Sequence, residues 1–331
     1  MVDLDTVTSG NRLALARLLT EVENQTPAGE QALDRLFVRS GRAHLVGITG
    51  APGTGKSSLV SCLAKNIRAE QKQTVAIVAV DPSSPFTGGA ILGDRVRMRE
   101  LAGDQGVFIR SMASRGELGG LARTTAGVVQ VLDAAGFDFI LIETVGAGQS
   151  EVDIARLAHT TLVVEAPGLG DDIQAIKAGI LEIADILVIN KADLPGVENT
   201  ERALRANLDL GYNIRLNHNS AHKVTINDVE TATSGWTPPI IKTVATQHSG
   251  IGEIVAEILR HREHLLKTGL WQQRDHERLR TEVSHLLQTE LVKRWQKSVS
   301  PQVFESLLQQ VFERKVSPGA AIDTLLNDSY N

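Results

Sequence analysis

The chain has 331 residues, of which 42% are hydrophobic and 22% charged, with a formal net charge of −5 and one cysteine, Cys62. A chain of this length can bury a large core, and its acidic balance gives no general reason to expect binding to nucleic acid or to an anionic membrane. A lone cysteine excludes an intrachain disulfide and fits a reducing compartment. The acidic N-terminus has no apolar signal core, and no run reaches transmembrane length, so we expect a cytoplasmic protein.

The first 43 residues predict a small helical extension. Apolar residues at helical spacing indicate a first helix (Leu13, Leu15, Leu18, Leu19 and Val22). A break is expected at 26–29, where the sequence reads TPAG, and a second helical stretch follows to Val38.

Residues 50–57 read GAPGTGKS, a complete phosphate-binding loop of the G-x-x-x-x-G-K-S type. An apolar run at 44–49 predicts a strand before it, and helical spacing follows from Ser57. Glycines allow such a loop to present backbone N–H groups at a helix N-terminus, where negative charge is favoured. We expect Lys56 to reach the β- and γ-phosphates and the Ser57 hydroxyl to bind Mg²⁺. The predicted phosphate-binding residues are Gly50, Ala51, Pro52, Gly53, Thr54, Gly55, Lys56, Ser57 and Ser58.

A second motif, N-K-x-D at 190–193, follows the apolar run 186–189. It therefore lies just past a predicted strand's carboxyl end, where open α/β sheets bind ligands. The Asp193 carboxylate is suited to accept hydrogen bonds from guanine N1–H and the exocyclic amino group, which adenine does not offer in that arrangement. Together the two motifs predict a GTP site that includes Asn190, Lys191 and Asp193.

Strand and helix patterns alternate from about residue 44 to about 261, which predicts an α/β fold: a P-loop NTPase with a doubly wound, mostly parallel sheet. Further strand candidates are 74–80, 139–143, 161–165, 186–189 and 240–244, whereas the signal is poor between 203 and 239. We expect three parts: the extension 1–43, the nucleotide-binding domain 44–262 and a C-terminal helical arm 263–331.

Three of the acidic residues between the nucleotide motifs are candidate Mg²⁺ carboxylates. Asp81 ends a predicted strand, Asp94 is followed by Arg95 and Arg97, and Glu143 ends another strand three residues before Gly146. Carboxylates near a bound phosphate chain are typical of a Mg²⁺ site, and Glu143 is long enough to hold a Mg²⁺-bound water or to order the attacking water. Asp81 and Asp94 have plainer alternatives, a turn acid before proline and a helix N-cap.

The C-terminal stretch has one apolar helix face, which we expect to pack against another surface (Leu279, Val283, Leu286, Leu287, Leu291 and Trp295). We expect this arm to support dimerisation, and packing on the nucleotide-binding domain is the alternative. Four histidines of this stretch, His261, His264, His276 and His285, lack carboxylate or cysteine neighbours and are expected at the surface.

Four long segments stand out: VDPSSP at 80–85, GGAILGDR at 88–95, ETVGAGQS at 143–150 and GDDIQAIK at 170–177. They resemble the corresponding segments of the MeaB/ArgK/MMAA GTPases, chaperones of adenosylcobalamin-dependent acyl-CoA mutases. The resemblance runs from the N-terminal helix to the C-terminal arm. It implies a homodimeric GTPase that uses GTP/GDP and Mg²⁺, docks on a mutase, gates cobalamin loading and helps protect or repair the mutase.

The resemblance also implies residue roles. Asp81, Asp94 and Glu143 would be Mg²⁺ and switch carboxylates, with Ser57 as a further Mg²⁺ ligand and Gly146 as phosphate sensor. Lys177 and Arg97 would couple the nucleotide state to the partner. A second base loop, usually Ser-Ala-x, would correspond to Val244, Ala245 and Thr246, where Val244 departs from the family's serine.

Ala147 occupies the place after Gly146 where many regulatory GTPases have a water-orienting glutamine, so we expect slow hydrolysis that the partner stimulates. Two other classes stay open. A metal-delivery GTPase of the hydrogenase or urease maturation type would need a Cys/His cluster, and paired thiolates cannot come from one cysteine. A kinase would normally select ATP, against which Asp193 argues.

Overall fold

Seven parallel strands form the centre of the protein in the order β3-β2-β4-β1-β5-β6-β7. The computed structural model describes residues 4–82, 99–101, 103–114, 120–144, 150–168, 181–218 and 235–327. The strands are β1 (His44–Thr49), β2 (Val75–Pro82), β3 (Val107–Ser114), β4 (Phe139–Thr144), β5 (Thr160–Glu165), β6 (Ile186–Ile189) and β7 (Ile240–Lys242). All residues of β1, β4 and β6 are buried, as expected where helices cover both faces of a parallel sheet.

The helices bury the two faces of this sheet in separate cores. In chain order they are α1 (Leu4–Thr8), α2 (Arg12–Glu23), α3 (Pro27–Leu36), α4 (Lys56–Asn66), α5 (Gly120–Ala134), α6 (Ser150–Leu157), α7 (Val197–His218), α8 (Ile251–Thr268), α9 (Leu270–Ser298), α10 (Pro301–Phe312) and α11 (Pro318–Asn327). On one face α4 and α8 pack against strand residues such as Val46 and Ile48. On the other, Leu45 lies in a core with α2, α5 and α6. The predicted doubly wound α/β fold is thus confirmed.

Of the seven strands that the structure describes, the sequence predicted six and missed β3. Strand β3 is an edge strand next to β2, and its residues Arg110 and Ser111 break the apolar run that marked the others. The Arg110 guanidinium donates to Thr20 Oγ1 at 3.2 Å and pairs with the Glu23 carboxylate, both on α2. Because this charge is satisfied by a distant helix, only the tertiary structure explains its place in a strand.

Two details of the helical extension correct the sequence prediction. Thr26 is the N-cap of α3, since its hydroxyl accepts from the Gly29 N–H at 3.1 Å, so residues 27–29 begin a helix instead of breaking one. Leu13 is 62% exposed, while Leu15, Leu18, Leu19 and Val22 are buried as predicted. Farther on, α7 extends to His218 through part of the region whose sequence signal was poor.

A buried polar network lies at the amino ends of β1, β5 and β6. Thr160 Oγ1 is 2.7 Å from His44 Nε2 and 2.9 Å from His261 Nδ1. His261 Nε2 lies 3.3 Å from the Asp185 carboxylate, to which Arg274 donates two hydrogen bonds of 2.9 and 3.0 Å. We name these residues, His44, Thr160, Asp185, His261 and Arg274, the amino-end network.

The amino-end network holds its histidines neutral. Burial lowers the pKa of His44 well below its usual value and, outweighing the Asp185 carboxylate, lowers that of His261 to about 4. Burial would raise the pKa of Asp185, but the charge and hydrogen bonds of Arg274 hold it below its usual value. His261, expected at the surface, is 1% exposed because a distant aspartate supplies the partner that its sequence neighbours lack.

The same end of the sheet holds the beginning of α9. Trp271 stacks on the His159 ring with centroids 3.8 Å apart, and Asp275 Oδ1 lies 3.0 Å from His159 Nε2. Arg274 also donates to the His159 carbonyl oxygen at 2.5 Å. The first turns of α9 are therefore fixed to β5 by one aromatic stack and several charged contacts.

The chain forms two compact units, residues 1–275 and 276–331. Within the second unit, the Trp295 and Phe304 rings meet edge to face at 6.1 Å, and Trp295 Nε1 donates to the Leu325 carbonyl oxygen at 3.4 Å. Across the described residues, no helix combines the length and the apolar character needed to cross a membrane.

Candidate functional site

The phosphate-binding loop connects the carboxyl end of β1 to the first residue of α4. Gly50 has φ +138°, and a Cβ on it would come within 2.0 Å of the Val164 carbonyl oxygen on β5. Gly55 has φ +90°, and a Cβ there would lie 2.5 Å from Asn190 Nδ2. Glycine is therefore required at both ends of the loop, by backbone conformation and by close neighbours.

Lys56 is buried under this loop. Its side chain is 6% exposed, and Nζ donates to the carbonyl oxygens of Gly50 at 2.8 Å and Ala51 at 2.9 Å. Thr54 Oγ1 also donates to the Ala51 carbonyl oxygen at 3.0 Å. An ammonium at the N-terminus of a helix forms a positive site, because the helix dipole adds to its charge.

A hydroxyl and a carboxylate meet beside the loop. Ser57 Oγ donates to Glu143 Oε1 at 2.6 Å, and Glu143 is 4% exposed. The parallel register of β1 and β4 brings them together by pairing Ile48 with Glu143. This arrangement places two hard oxygen donors at the beginning of α4, the type of ligand that Mg²⁺ takes in proteins.

Asn190 connects the phosphate-binding loop to the end of β7. It is 2% exposed, and Nδ2 donates to the Thr54 carbonyl oxygen at 2.8 Å. Its Oδ1 accepts from Ala245 N at 3.1 Å and from Thr243 Oγ1 at 3.2 Å. Asn190 thus joins segments 136 and 55 residues away in the sequence.

Lys191 makes a second connection, since Nζ donates to the Gly53 carbonyl oxygen at 2.7 Å. Its backbone has φ +57°, in the left-handed region. Asp193, two residues later, is exposed. The N-K-x-D motif therefore directs two side chains to the phosphate-binding loop and leaves a carboxylate open to solvent.

The predicted base loop lies beside Asn190. We call residues 244–249 the base loop; it contains a short 3₁₀ turn, Ala245–Gln247, closed by a backbone bridge between Val244 and Ser249. Val244 N donates to the Ser249 carbonyl oxygen at 3.2 Å, and Ser249 N donates back at 3.3 Å. Ala245 is buried and Thr246 is exposed.

The structure brings most of the predicted site residues to one edge of the sheet. The contacts above join the phosphate-binding loop to Glu143, Asn190 and Lys191, and join Asn190 to the base loop. Asp81 lies near the end of β2, where its backbone pairs with Ala113; its side chain is outside the described set. Asp94, Arg97, Gly146 and Lys177 lie outside the described residues.

Two further residues at this edge were not predicted as part of the site. Thr243 donates to Asn190 Oδ1, and Cys62 on α4 donates from Sγ to the Ala245 carbonyl oxygen at 3.2 Å. Thr243 directly precedes the predicted base residues, so its position was a usable signal. Nothing near Cys62 in the sequence points to a loop 183 residues away.

Fold and site together define a P-loop nucleotide-binding protein, with the phosphate-binding loop and the N-K-x-D segment at the carboxyl edge of a parallel sheet. A family model, the methylmalonyl-CoA mutase-associated GTPase MeaB, matches residues 15–300. A putative GTPase of Pyrococcus abyssi is 42% identical over 330 residues, covering 99% of this chain and 97% of the relative.

A mitochondrial methylmalonic aciduria type A homolog of Mus musculus is 32% identical over 336 residues, covering 96% of this chain and 76% of the relative. A crystal structure of an LAO/AO transport system kinase has the same fold, with a TM-score of 0.69 at 23% identity over 99% of this chain and 96% of that one. The chain belongs to the MeaB family and is a P-loop GTPase, and the resemblance noted in the sequence is confirmed.

Proposed function

We propose that this GTPase is a chaperone of an adenosylcobalamin-dependent acyl-CoA mutase, and that its GTP cycle gates cofactor loading and protection or reactivation of the mutase. The observation that carries the proposal is the match of residues 15–300 to a family of mutase-associated GTPases. The geometry at the carboxyl edge of the sheet supports GTP binding and hydrolysis, and the family match supports an acyl-CoA mutase as the partner.

In this proposal Asp193 selects guanine. Its exposed carboxylate would accept from guanine N1–H and the 2-amino group, while Val244, Ala245 and Thr246 would lie behind the ring. Asn190 and Lys191 hold the phosphate-binding loop at a fixed distance from that carboxylate through their bonds to Thr54 and Gly53. A site built for these donors rejects adenine, because its acceptor would be left unpaired.

The residues of the loop would hold the phosphates, with Lys56 exchanging its bonds to Gly50 and Ala51 for bonds to phosphate oxygens. The oxygen donors Ser57 and Glu143 fit Mg²⁺, with Asp81 and Asp94 as the further proposed carboxylates. When bound there, Mg²⁺ would neutralise charge on the phosphate oxygens. The chain's own contribution is to orient the phosphates over α4 and to keep Glu143 beside them.

Hydrolysis by the isolated protein would be slow, because Ala147 stands where many GTPases have a water-orienting glutamine. We propose that the mutase supplies or orders the missing charge, with Arg97 and Lys177 coupling the nucleotide state to the partner. Such coupling is typically about 1–3 kcal/mol, so GTP and GDP forms would differ in mutase affinity by about 5- to 150-fold.

We further propose that the arm 263–331 makes the protein a homodimer. Apolar side chains of the second unit are 39–82% exposed, which is the pattern of an interface that a second chain covers. Among the described residues of this unit, the exposed apolar set is Val283, Leu286, Leu287, Leu291, Val292, Val303, Phe304, Leu308, Phe312, Ile322 and Leu326.

The decisive experiment measures GTP and ATP turnover by the purified protein, alone and with a panel of acyl-CoA mutases. One mutase should stimulate GTP turnover, and the stimulation should be absent with ATP. Loss of guanine selection is tested with Asp193→Asn, whose amide offers one donor and one acceptor and so suits xanthine, which has a carbonyl in place of the 2-amino group.

Asp193→Asn should lose GTP turnover and gain XTP turnover, and the gain shows that the variant is folded. Stimulation of the variant by the same mutase with XTP would confirm that the partner acts through the nucleotide. Slow turnover that no mutase in the panel changes would contradict the chaperone role and leave the GTPase.

A further inference from the structure

Helix α4 contacts both ends of the proposed nucleotide site. It begins with Lys56 and Ser57 at the phosphate-binding loop, and Cys62 lies six residues farther, about 9 Å along the helix axis. There the Cys62 Sγ is 3.2 Å from the Ala245 carbonyl oxygen in the base loop. Cys62 is 7% and Ala245 4% exposed, and both belong to the core that α4 shares with α8.

Ala245 is held on both sides by side chains. Its N–H donates to Asn190 Oδ1 at 3.1 Å, and its carbonyl oxygen accepts from Cys62 Sγ and, within the turn, from His248 N at 3.2 Å. The Asn190 contact belongs to the base motif, whereas the Cys62 contact comes from the helix that carries the phosphate ligands. Ala245 is therefore clamped between the two halves of the site.

The chemical state of Cys62 suits this contact. Burial raises the pKa of the Cys62 thiol, so at neutral pH it keeps its proton and donates. The base loop also has a valine, Val244, where a serine would offer a hydroxyl. The position of the loop therefore depends on its backbone bridge and on hydrogen bonds from side chains of neighbouring elements.

We infer that Cys62 is a positioning residue for the base: its thiol holds the base loop against α4 and so contributes to guanine-nucleotide affinity. This inference rests on the proposed assignment of residues 244–246 to the base. Cys62 lies outside the nucleotide motifs, and its hydrogen bond joins the base loop to helix α4, which begins at the phosphate-binding loop.

The first test compares GDP affinity in the full-length wild type, Cys62→Ala, Cys62→Ser and Ser61→Ala. Cys62→Ala should bind GDP about 2- to 10-fold more weakly, the range of one lost hydrogen bond. Cys62→Ser retains a donor and should stay within about twofold of wild type. Ser61→Ala is the matched control, since Ser61 is the adjacent buried residue and its hydroxyl has no hydrogen-bond partner among the described residues.

Steady-state kinetics separate positioning from general damage. Cys62→Ala should raise KM for GTP by the same factor and leave kcat at saturating GTP unchanged, because the loop acts on the base and not on the reacting phosphate. Weak binding of ADP, which lacks the contacts of guanine, should not change. A fall in kcat that matches the fall in affinity, or equal losses for ADP and GDP, would contradict a positioning role.

The second test uses the wild-type protein and does not depend on any variant folding. Cys62 is the only cysteine, so iodoacetamide uptake reports on one site. If nucleotide and thiol contact stabilise the same loop conformation, the coupling is reciprocal, and GDP should slow alkylation by about the factor that Cys62→Ala loses in affinity. ADP at the same concentration should not slow it.

Failures of the two proposals are distinguishable. A wild-type protein with no preference for GDP over ADP would overturn the proposed function and this inference with it. A wild type that prefers GDP, together with a Cys62→Ala variant of unchanged GDP affinity or an alkylation rate that GDP does not change, would overturn the inference alone.

Discussion

The two edges of the sheet both contain buried polar groups, but they are built differently. At the carboxyl edge, Lys56, Asn190 and Lys191 donate mainly to loop carbonyl oxygens, and Asp193 and Thr246 are exposed. At the amino edge, the buried Asp185 carboxylate accepts two hydrogen bonds from the half-buried Arg274 and lies beside the buried His261. Groups held by loops can change partners when a ligand binds, whereas we expect this charge pair to contribute to stability.

The largest expected effect on the free energy of unfolding comes from a substitution at the amino edge. Asp185→Asn removes the charge opposite Arg274, and breaking a buried ion pair on one side costs about 3–5 kcal/mol. Urea unfolding should show a decrease of that size in the free energy of unfolding, while the folded fraction should bind GDP as wild type does. The control Glu201→Gln removes a carboxylate that pairs with the half-exposed Lys242, and should change stability by less than about 1 kcal/mol. Equal effects of the two substitutions would contradict the comparison.

The second expected effect is a pH dependence of the free energy of unfolding, caused by the histidines of the amino-end network. The folded-state pKa of His261 is lowered to about 4 from an ordinary value of 6.5, so protons bind the unfolded chain more tightly. The stabilisation is complete above pH 6.5 and is lost as the pH falls toward 4, by about 3 kcal/mol for a shift of this size. Buried His44 acts in the same direction.

Urea unfolding at pH 7, 5.5 and 4.5 measures this loss, and the difference between wild type and His261→Asn isolates the histidine from the carboxylates. The slope attributable to His261 should vanish in the variant. A stability difference between the two proteins that is independent of pH would show that His261 does not titrate in this range.

The third expected effect is on GDP binding and comes from a substitution at the carboxyl edge. Asn190→Ala removes three hydrogen bonds that join Thr54, Thr243 and Ala245. At about 0.5–1.5 kcal/mol for each bond, the three losses together come to about 1.5–4.5 kcal/mol, so GDP affinity should fall by about 10- to 2,000-fold. Thr243→Val keeps the shape and removes one of these bonds, so its affinity should fall less than about tenfold. Titration of both variants with GDP measures the two losses of affinity. A larger loss of GDP affinity in Thr243→Val than in Asn190→Ala would contradict the prediction.

The carboxyl edge was predictable because its signals are local. The glycine loop, Lys56, Ser57 and the N-K-x-D residues each follow an apolar run, and a parallel sheet collects the carboxyl ends of its strands at one edge. Glu143 was placed by the same rule, and its contact with Ser57 follows from the pairing of β1 with β4. Strand β3 was missed because Arg110 interrupts its apolar pattern, and the Glu23 carboxylate that pairs with Arg110 lies on α2, far away in the sequence.

The amino-end network and Cys62 had no comparable signal. His261 and Asp185 are 76 residues apart by number, and each looks like an ordinary polar residue among its neighbours. Cys62 resembles any small buried residue of an amphipathic helix. Their partners are decided by which helices cover the sheet, and no sequence periodicity encodes that.

Residue types at fixed short spacing were enough to predict the class of fold, the phosphate and base motifs and the family of this GTPase. Which buried polar groups meet became visible only in the folded protein: His261 with Asp185, Arg274 with the same carboxylate, and Cys62 with Ala245. The difference arises because short-range patterns report on backbone conformation and burial, whereas a buried charge or thiol acquires its role only from the partner that long-range packing brings to it.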